Sequence, residues 1–266
     1  MWGIKLAIFD IDGTLYDEDR KIYTPSAVEA LKQLSKNGVL VVVATGRPPV
    51  AIRELEDAGI YPAFFICCNG HLVLGRDGAN IVDEAFDAAL AESVYRYCLA
   101  NEIGLLWKYP RETYVYINHR EFNPLLEKSG KMPGDRSFIY GNISIHLRHG
   151  PNGGCLACGT EKLFKFNEHF LGSCRGVDIN GRLRDLLLWD VTKKTGLSRL
   201  LDMLDVSPGE CIAFGDNMND LEIISYVGIG VAMGNGAEEL KRESDFVTTH
   251  ISNNGIRNAL RNFGLI

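Results

Sequence analysis

The sequence predicts an α/β protein whose core is a doubly wound, Rossmann-like parallel sheet, with an α+β cap domain inserted into that core. Two observations predict the core: near both ends of the chain, short fully apolar segments alternate with amphipathic helical segments. A third predicts the insertion, because the middle of the chain alternates apolar and polar residues one by one, which is typical of antiparallel strands with one solvated face.

The first core elements lie within residues 1–79. LAIF at 6–9 is apolar throughout, which predicts a strand buried on both faces. A helix is predicted from Thr24, where proline follows a threonine N-cap and apolar residues recur at helical spacing until Gly38. The elements that follow are a strand in VLVVVATG at 39–46, a helix from about Pro48 to Ala58, and a strand in AFFICCNG at 63–70.

The same alternation returns within residues 188–266, and the cap is predicted between, at residues 80–187. The later core elements are a helix in SRLLDML at 198–204, a strand in CIAFGDN at 211–217, a helix in DLEIISYV at 220–227, a strand in GIGVAM at 228–233 and a helix in AEELKRE at 237–243. The predicted cap elements are a helix near Phe86 to Asn101 and strands in TYVYIN at 113–118 and ISIHLR at 143–148.

Composition excludes some classes of partner. The net charge is -6 and no basic run is present, so nucleic acid is not an expected partner. The first apolar stretch is broken by Asp10 and is far shorter than the roughly 20 residues of a membrane span, so no membrane partner and a cytoplasmic location are expected. Nothing in the sequence indicates an oligomeric state.

The seven cysteines predict free thiols rather than a disulfide framework. Cys155 and Cys158 have the spacing of a zinc-binding pair. Further ligands could come from Cys174 and from His149 or His169, which lie nearby in the sequence. A structural zinc site usually has a second clear pair of ligands, which this sequence lacks. Ordinary packing cysteines are therefore the favoured interpretation.

Polar residues follow four of the predicted core strands. Because the carboxyl ends of parallel strands meet at one edge of a sheet, where such folds bind ligands, these residues are expected to converge. They are Asp10 and Asp12, then Thr45, Gly46 and Arg47, then Asn69 and Gly70, and finally Asp216, Asn217, Asn219 and Asp220.

The acidic members of this set predict a magnesium site. Asp10 and Asp12 leave an extended chain on the same side, and two carboxylates so close repel unless a cation or a shared proton relieves them. Asp216 completes a hard-oxygen cluster suited to Mg²⁺, an ion that is often shared with substrate phosphate. A phosphate would also need donors, which Thr45, backbone amides near Gly46 and a lysine from the later half can supply.

Four motifs resemble those of the haloacid dehalogenase superfamily: DIDGT at 10–14, ATGRP at 44–48, a lysine at 193 and GDNMND at 215–220. Three further segments resemble its Cof-type branch, in which an α/β cap is inserted between the second and third motifs. These are CNG at 68–70, VAMGNG at 231–236 and SDFVTTHISNNGI at 244–256. The resemblance covers both core segments and the placement of the cap.

The resemblance implies a Mg²⁺-dependent phosphatase that hydrolyses small phosphorylated metabolites, with sugar phosphates first among them, through an aspartyl-phosphate intermediate. Asp10 would be the nucleophile and Asp12 the general acid and base. The implied phosphate ligands are Thr45, Gly46, Lys193 and Asn219; the implied metal ligands are Asp10, the backbone carbonyl of Asp12, and Asp216; the implied supporting residues are Asp220, Arg47 and Asn69.

Two points stay open at the level of residues. The third motif contains TKKTG, so the phosphate-binding lysine could be Lys193 or Lys194, and the match of the preceding threonine to the family pattern favours Lys193. In the cap, His146 and Arg148 alternate with apolar residues of a predicted strand, and their shared face could meet either substrate or water.

Two alternative functions use similar residues. A phosphomutase shares the aspartyl phosphate but returns the phosphoryl group to a sugar. A non-enzymatic phospho-receiver also combines paired acids, a threonine and a lysine on a doubly wound sheet. Receivers are usually half this length and lack a large insertion, and the second acid at Asp12 points instead to turnover.

Overall fold

The computed structural model describes residues 3–118, 120–122, 138–140, 144–179 and 181–266. The chain divides into two compact units. The first comprises Met1–Thr45, Arg53–Val82 and Thr192–Ile266, and the second comprises Gly46–Ile52 and Asp83–Val191. No helix in the described part of the chain has both the length and the apolar run needed to cross a bilayer.

The strands are β1 (Leu6–Phe9), β2 (Tyr16–Asp17), β3 (Ile22–Tyr23), β4 (Leu40–Ala44), β5 (Phe64–Cys67), β6 (Leu72–Gly75), β7 (Asn80–Asp83), β8 (Gly104–Lys108), β9 (Thr113–Ile117), β10 (Phe138–Tyr140), β11 (Gly154–Ala157), β12 (Cys174–Asp178), β13 (Leu183–Leu188), β14 (Cys211–Gly215), β15 (Ile229–Ala232) and β16 (Phe246–Val247). The α-helices are α1 (Pro25–Lys36), α2 (Glu54–Asp57), α3 (Ala88–Ala100), α4 (Thr160–His169), α5 (Lys193–Leu204), α6 (Leu221–Ile224), α7 (Glu238–Glu243) and α8 (Gly255–Asn262).

The first unit is built on an eight-stranded sheet in the order β16-β15-β14-β1-β4-β5-β6-β7. Every pair from β16 to β5 is parallel, and β6 turns back antiparallel to β5. Strand β1 lies between β14 and β4 and is buried at all four positions, which explains its fully apolar sequence. The predicted α/β class with a large parallel sheet is confirmed.

The register of the sheet decides which residues meet at its carboxyl edge. Phe9, the last residue of β1, pairs with Phe214 of β14 on one side and Val43 of β4 on the other. Asp10 therefore leaves the sheet beside the ends of both neighbouring strands. The residues that follow β4 and β14 are Thr45 and Asp216.

Helix α1 has the predicted amphipathic form. Its apolar face is buried, and Pro25 occupies its first turn, where the missing amide hydrogen costs nothing. The single helix predicted from about Pro48 to Ala58 is wrong in its extent. A 3-10 helix over Pro49–Ile52 comes first and α2 follows it, and the two prolines at the start of the segment remove two amide donors.

The second unit contains a six-stranded sheet in the order β10-β9-β8-β11-β13-β12. The four pairs from β9 to β12 are antiparallel, and β10 is parallel to β9. Trp107 and Phe166 are fully buried in the main hydrophobic cluster of this unit. The strand predicted in TYVYIN is present as β9, and the helix predicted near Phe86 to Asn101 is present as α3.

The strand predicted in ISIHLR is wrong. Ile145–Leu147 forms a 3-10 helix, and Ile143 lies outside the described residues. The His146 side chain is 2% exposed and is held by two hydrogen-bond contacts, from Nδ1 to the Tyr116 hydroxyl (2.8 Å) and from Nε2 to Oε2 of Glu92 (2.8 Å). These contacts hold the segment as a turn, which a short alternation of isoleucines does not reveal.

All seven cysteines are free and buried. Cys155 packs in one hydrophobic cluster of the second unit and Cys158 in another. Burial raises the pKa of the Cys155 thiol to about 12, and it also raises the pKa of Cys158. Both side chains therefore behave as small apolar groups of the core.

Two glycines let the start of α5 approach the sheet of the first unit. Gly70 has a φ of +103°, and a Cβ at this position would lie 2.0 Å from the carbonyl oxygen of Thr192. Across the same contact, a Cβ on Gly196 would lie 2.9 Å from the Cα of Gly70. The backbones touch at this point, so Lys193 is delivered close to the carboxyl edge of the sheet.

We expect Gly70→Ala to lower the free energy of unfolding by about 2–4 kcal/mol, because the new methyl group adds both backbone strain and a clash with Thr192. The control is Gly78→Ala, since Gly78 also has a positive φ (+84°) but has no atom near its Cβ position. That variant should lose only about 1 kcal/mol. Urea unfolding measures both values, and equal losses would contradict the close approach.

Candidate active site

The site begins with Asp10, which follows β1 and is 7% exposed. Its backbone amide donates to the carbonyl of Phe214 (3.1 Å), which continues the ladder between β1 and β14 by one residue. The side chain is thereby held at the carboxyl edge of the sheet, close to the loop that follows β14.

The ammonium of Lys193 neutralises part of this edge. Lys193 is the first residue of α5 and is 1% exposed, and its Nζ donates to Oδ1 of Asp10 (2.6 Å) and to Oδ1 of Asp220 (2.6 Å). A capping box formed by Thr192 fixes the start of the helix. The neighbouring Lys194 instead places its Nζ over the ring of Tyr226, 5.3 Å from the centroid.

Asp216 lies against the loop that follows β1. Its Oδ1 accepts a hydrogen bond from the hydroxyl of Thr14 (3.0 Å). Gly13 has a φ of +79°, and a Cβ there would lie 2.2 Å from Oδ2 of Asp216. The carboxylate therefore occupies the space that a side chain at position 13 would fill.

Asp220 organises the loop after β14. Its Oδ2 accepts from the backbone amides of Asp216 (3.1 Å) and Asn217 (3.3 Å), while Oδ1 accepts from Lys193. Both oxygens are thus engaged with donors of the protein. Asp220 is 1% exposed, so these bonds are shielded from water.

Amide groups line a neighbouring part of the same edge. Thr45 follows β4 and is 1% exposed, and its carbonyl accepts from the amide of Asn69 (3.0 Å). Oδ1 of Asn69 accepts from Nδ2 of Asn219 (3.2 Å). Asn69 is 2% exposed and has a φ of +54°, a conformation that asparagine tolerates better than most residues.

The other predicted residues are more dispersed. Asp12 is half-buried in the turn between Asp10 and Thr14. Gly46 and Arg47 follow Thr45 directly but belong to the second unit. There, the Gly46 carbonyl accepts from Nζ of Lys108 (2.9 Å), and Nη1 of Arg47 donates to the carbonyl of Ala51 (3.4 Å).

The predicted cap residues have different environments. His146 is buried in the second unit and bonded to Tyr116 and Glu92, so its polar atoms are engaged within that unit. Arg148 is exposed. The two side chains therefore do not share one face of a strand, which corrects the premise on which they were predicted to act together.

Burial and the charges of neighbouring carboxylates raise the pKa of two carboxyl groups of the site, Asp10 and Asp216. Desolvation raises the pKa of Asp10 to about 7, although the nearby Lys193 charge opposes the shift. Desolvation also raises the pKa of Asp216 to about 9, with further contributions from the charges of Asp10 and Asp220. Burial alone would lower the pKa of Lys193, but the two carboxylates it contacts outweigh that effect and the pKa is raised.

The donor set fits a divalent metal. Asp10, Asp216 and Asp220 each offer a carboxylate oxygen, and these atoms lie within 4.8 Å of one another. Within the described ranges this is the only group of three or more acidic, histidine or cysteine side chains arranged in this way. Three carboxylates against one ammonium leave an excess of negative charge, which a hard cation would balance.

Sequence reasoning missed two residues of this site. Thr14 stands within the first motif and holds Asp216, and a hydroxyl directly after the paired acids was the available signal. Asn235 donates through Nδ2 to the carbonyl of Gly13 (2.7 Å) and accepts through Oδ1 from the amide of Ile251 (2.9 Å). No local pattern predicts this link, because its partners lie far apart in the chain.

Comparison with known proteins gives three kinds of match. The profile of the haloacid dehalogenase-like hydrolases matches residues 7–260. The Bacillus subtilis protein YkrA, whose name carries the word phosphatase, is 31% identical over 273 residues, which covers 98% of each chain. The HMP-PP phosphatase of Yersinia enterocolitica is 28% identical over 247 residues, with coverage of 90% of this chain and 87% of the relative.

The solved structure of BT1666 from Bacteroides thetaiotaomicron, a phosphatase of the HAD enzyme superfamily, is also similar. It superposes with a TM-score of 0.87 at 25% identity, and the match covers 99% of this chain and 96% of that one.

The raised carboxylate pKa values predict how stability depends on pH. When folding raises the pKa of a carboxyl group, its contribution to stability is complete at a pH below the pKa that the group has in the unfolded chain. This contribution is lost as the pH rises through the folded-state pKa. Without metal, the free energy of unfolding should therefore fall as pH rises from about 4 to about 9.

Asp216→Asn should remove much of this dependence and raise the melting temperature of the metal-free protein by a few degrees at about pH 8. Asp202→Asn is the matched control, since Asp202 is exposed on α5 and should change nothing. Thermal unfolding in a chelator, followed across pH, measures the effect. A lower melting temperature for Asp216→Asn would show that the carboxylate is not repelled in the folded state.

Proposed function

Because the chain belongs to the haloacid dehalogenase-like hydrolase family and is a phosphatase, we propose that it is a Mg²⁺-dependent enzyme that uses an aspartyl-phosphate intermediate. The proposed substrates are small phosphorylated metabolites, with sugar phosphates as the leading class. The proposed catalytic residues are Asp10 and Asp12.

One observation carries this proposal: the buried ammonium of Lys193 bridges Asp10 and Asp220 beside Asp216. Phosphoryl transfer depends mainly on positioning and on neutralising the charge of the phosphate oxygens. A carboxylate nucleophile, a buried cation and a cluster of hard oxygen ligands supply these requirements at one point.

The proposed reaction has two steps. In the first, a carboxylate oxygen of Asp10 attacks phosphorus, the ester P–O bond breaks, and the leaving alcohol takes the proton of Asp12. In the second, the Asp12 carboxylate removes a proton from water, the water oxygen attacks phosphorus, and the bond between phosphorus and the Asp10 oxygen breaks, which releases inorganic phosphate. Asp10 and the proton on Asp12 are both restored, so the cycle closes.

Lys193, Thr45 and Asn219 are proposed to bind the phosphate oxygens, together with the backbone amide of Gly46. The charge of Lys193 also favours the ionised form of Asp10, because it lowers the pKa of this carboxyl against the larger raising effect of burial. Asn69 holds Asn219 through its amide oxygen (3.2 Å), which fixes the orientation of that side chain.

The metal ligands are proposed to be Asp10, Asp216 and the backbone carbonyl of Asp12. Asp220 lies within the same cluster, but its oxygens already accept from Lys193 and two backbone amides, so an orienting role suits it better. When bound, Mg²⁺ would neutralise charge on the phosphate and help to orient it. Thr14 fixes Asp216 for this purpose through its hydroxyl.

The proposed substrate class is inferred from a relative, because the site itself addresses the phosphate group. The acidic cluster and its lysine recognise a phosphate group and say nothing of the alcohol attached to it. The Yersinia relative carries the name HMP-PP phosphatase, which we take as support for a metabolite rather than a protein substrate. Family membership removes the receiver alternative, whereas a phosphomutase would differ in passing the phosphoryl group to a second sugar.

Asp10→Asn should reduce phosphate release by at least about 10³-fold, because an amide cannot act as the nucleophile. The measurement is inorganic phosphate release from a panel of sugar phosphates, with Mg²⁺ and with a chelator. Wild-type release should require Mg²⁺ and no added bisphosphate, and Asp202→Asn should match the wild type. Release that survives in Asp10→Asn would contradict the covalent mechanism, and transfer to sugar without release would indicate a mutase.

Lys193→Met and Lys194→Met form a matched pair. Loss of the buried ammonium should lower kcat/KM by about 10²–10³-fold, and it should also destabilise the fold by about 3–5 kcal/mol because two buried carboxylates lose their partner. Lys194 contacts only an aromatic ring in the described part of the chain, so its loss should cost about 1 kcal/mol or less and leave turnover unchanged.

Phosphate release and urea unfolding are measured on both variants. Equal effects on the two lysines, or an active Lys193→Met enzyme, would contradict the assignment of Lys193.

A further inference from the structure

The loop that follows β15, residues 233–237, is built from residues that the proposed reaction does not use. It nevertheless donates one hydrogen bond to the segment that follows β1 and one to the segment that follows β14. The first donor is the side chain of Asn235, which is half-buried, and the second is the backbone amide of Ala237. The loop therefore links the two segments that carry acidic residues of the candidate active site.

Asn235 holds the segment that follows β1. Its Nδ2 donates to the carbonyl of Gly13 (2.7 Å), and its Oδ1 accepts from the backbone amide of Ile251 (2.9 Å). A carbonyl can only accept and a backbone amide can only donate, so a single orientation of the Asn235 amide satisfies both partners. Neither an ionised aspartate nor an apolar side chain could make both bonds at this position.

Gly13 is held through its amide as well as its carbonyl. Its N–H donates to the carbonyl of Tyr16 (3.0 Å). The peptide that joins Asp12 to Gly13 is trans, and in a planar trans peptide the C=O and the N–H point in opposite directions. The bonds of Gly13 to Tyr16 and to Asn235 thus restrain the direction of the Asp12 carbonyl, which is one of the proposed metal ligands.

The same loop holds the segment that follows β14. The backbone amide of Ala237 donates to the carbonyl of Asp216 (2.8 Å), while the amide of Asp216 donates to Oδ2 of Asp220 (3.1 Å). The loop also packs closely here, since a Cβ on Gly236 would lie 3.0 Å from the carbonyl oxygen of Asp216. One short loop therefore restrains two segments that each supply a proposed metal ligand.

The chain from residue 248 onward supports the loop from its other side. The amide of Gly234 donates to the carbonyl of Thr249 (3.2 Å), and a Cβ on Gly234 would lie 2.5 Å from the amide nitrogen of His250, so the two backbones touch. Because its own loop is held in this way, Asn235 can restrain Gly13 instead of moving with it.

The position of these segments matters because Mg²⁺ tolerates little variation in the distances to its ligands, which are about 2.0–2.1 Å. Residues that orient metal ligands without binding the ion commonly change metal affinity by about 10–100-fold when they are replaced. A residue that restrains two ligand-bearing segments relative to each other should have an effect of this size.

We propose that Asn235 is a positioning residue of the metal site, whose side-chain amide sets the separation of the segments that follow β1 and β14 and thereby the affinity for Mg²⁺. This role rests on the metal site of the proposed function, and it adds to that site a residue that is not itself a proposed ligand.

Binding of Mn²⁺ to the full chain, without substrate, tests the role. Mn²⁺ takes the same hard oxygen ligands, and its electron paramagnetic resonance signal reports the free ion, so the dissociation constant does not depend on turnover. Displacement of Mn²⁺ by Mg²⁺ then gives the constant for Mg²⁺. Asn235→Leu, which keeps the size of the side chain and loses both hydrogen bonds, should raise both constants by about 10–100-fold.

Asn258→Leu is the matched control. The Nδ2 of Asn258 also makes two hydrogen bonds, to Oγ1 of Thr249 (2.9 Å) and to the carbonyl of Asn253 (3.0 Å), but neither bond reaches the segments that carry the acids. This variant should keep the wild-type constants. Urea unfolding of each variant separates a loss of metal affinity from a loss of stability.

Asn235→Ala is a second variant, in case the leucine prevents folding. It removes the same two bonds but leaves room for water at the Gly13 carbonyl, so it should raise the constants by about tenfold, the lower end of the range. In phosphate release, the Asn235 variants should need more Mg²⁺ for half-maximal rate and recover wild-type turnover at saturating Mg²⁺. A loss that excess Mg²⁺ does not restore would contradict a role in metal affinity.

The outcomes separate this role from the proposed function. Unchanged Mn²⁺ affinity in both Asn235 variants would overturn the role and leave the proposed metal site intact. Equal weakening in Asn258→Leu would also overturn it, because the effect would then follow from lost stability. If the wild-type chain binds no Mn²⁺, the proposed metal site and the role of Asn235 are both overturned.

Discussion

The contact of one buried ammonium with two carboxylates is the constraint on which the rest of the first unit depends. Lys193 is 1% exposed and bridges Asp10 and Asp220, which follow two neighbouring parallel strands. An unpaired charge at this depth would cost several kcal/mol, so α5 must begin within reach of both strand ends. The close backbone approach at Gly70 and Thr192 makes that geometry attainable.

Local charge balance says more about ligands here than the net charge of -6 does. At the acidic cluster, three carboxylates face one ammonium. Burial, and after it the charges of Asp10 and Asp220, raise the pKa of Asp216 to about 9. This excess of negative charge suits a cation at the carboxyl edge of the sheet.

The second unit uses buried polar side chains mainly for its own architecture. Glu92, His146 and Tyr116 form a hydrogen-bonded chain that holds a 3-10 turn against α3. Asp185 accepts from Lys108 across the unit's sheet (2.6 Å). Such groups are engaged internally, which is why a polar residue in an alternating sequence is a poor guide to substrate contacts.

The sequence by itself determined the α/β class, the alternation of core strands and helices, and the placement of acids at strand ends, because hydrophobic periodicity and strand termini are local properties. Only the tertiary structure distinguished Lys193 from Lys194, and only it showed that Asp17 and His146 are buried. Each of these depends on how distant segments pack. The bond from Lys193 to Asp10 joins residues 183 positions apart, and no pattern within one element encodes such a contact.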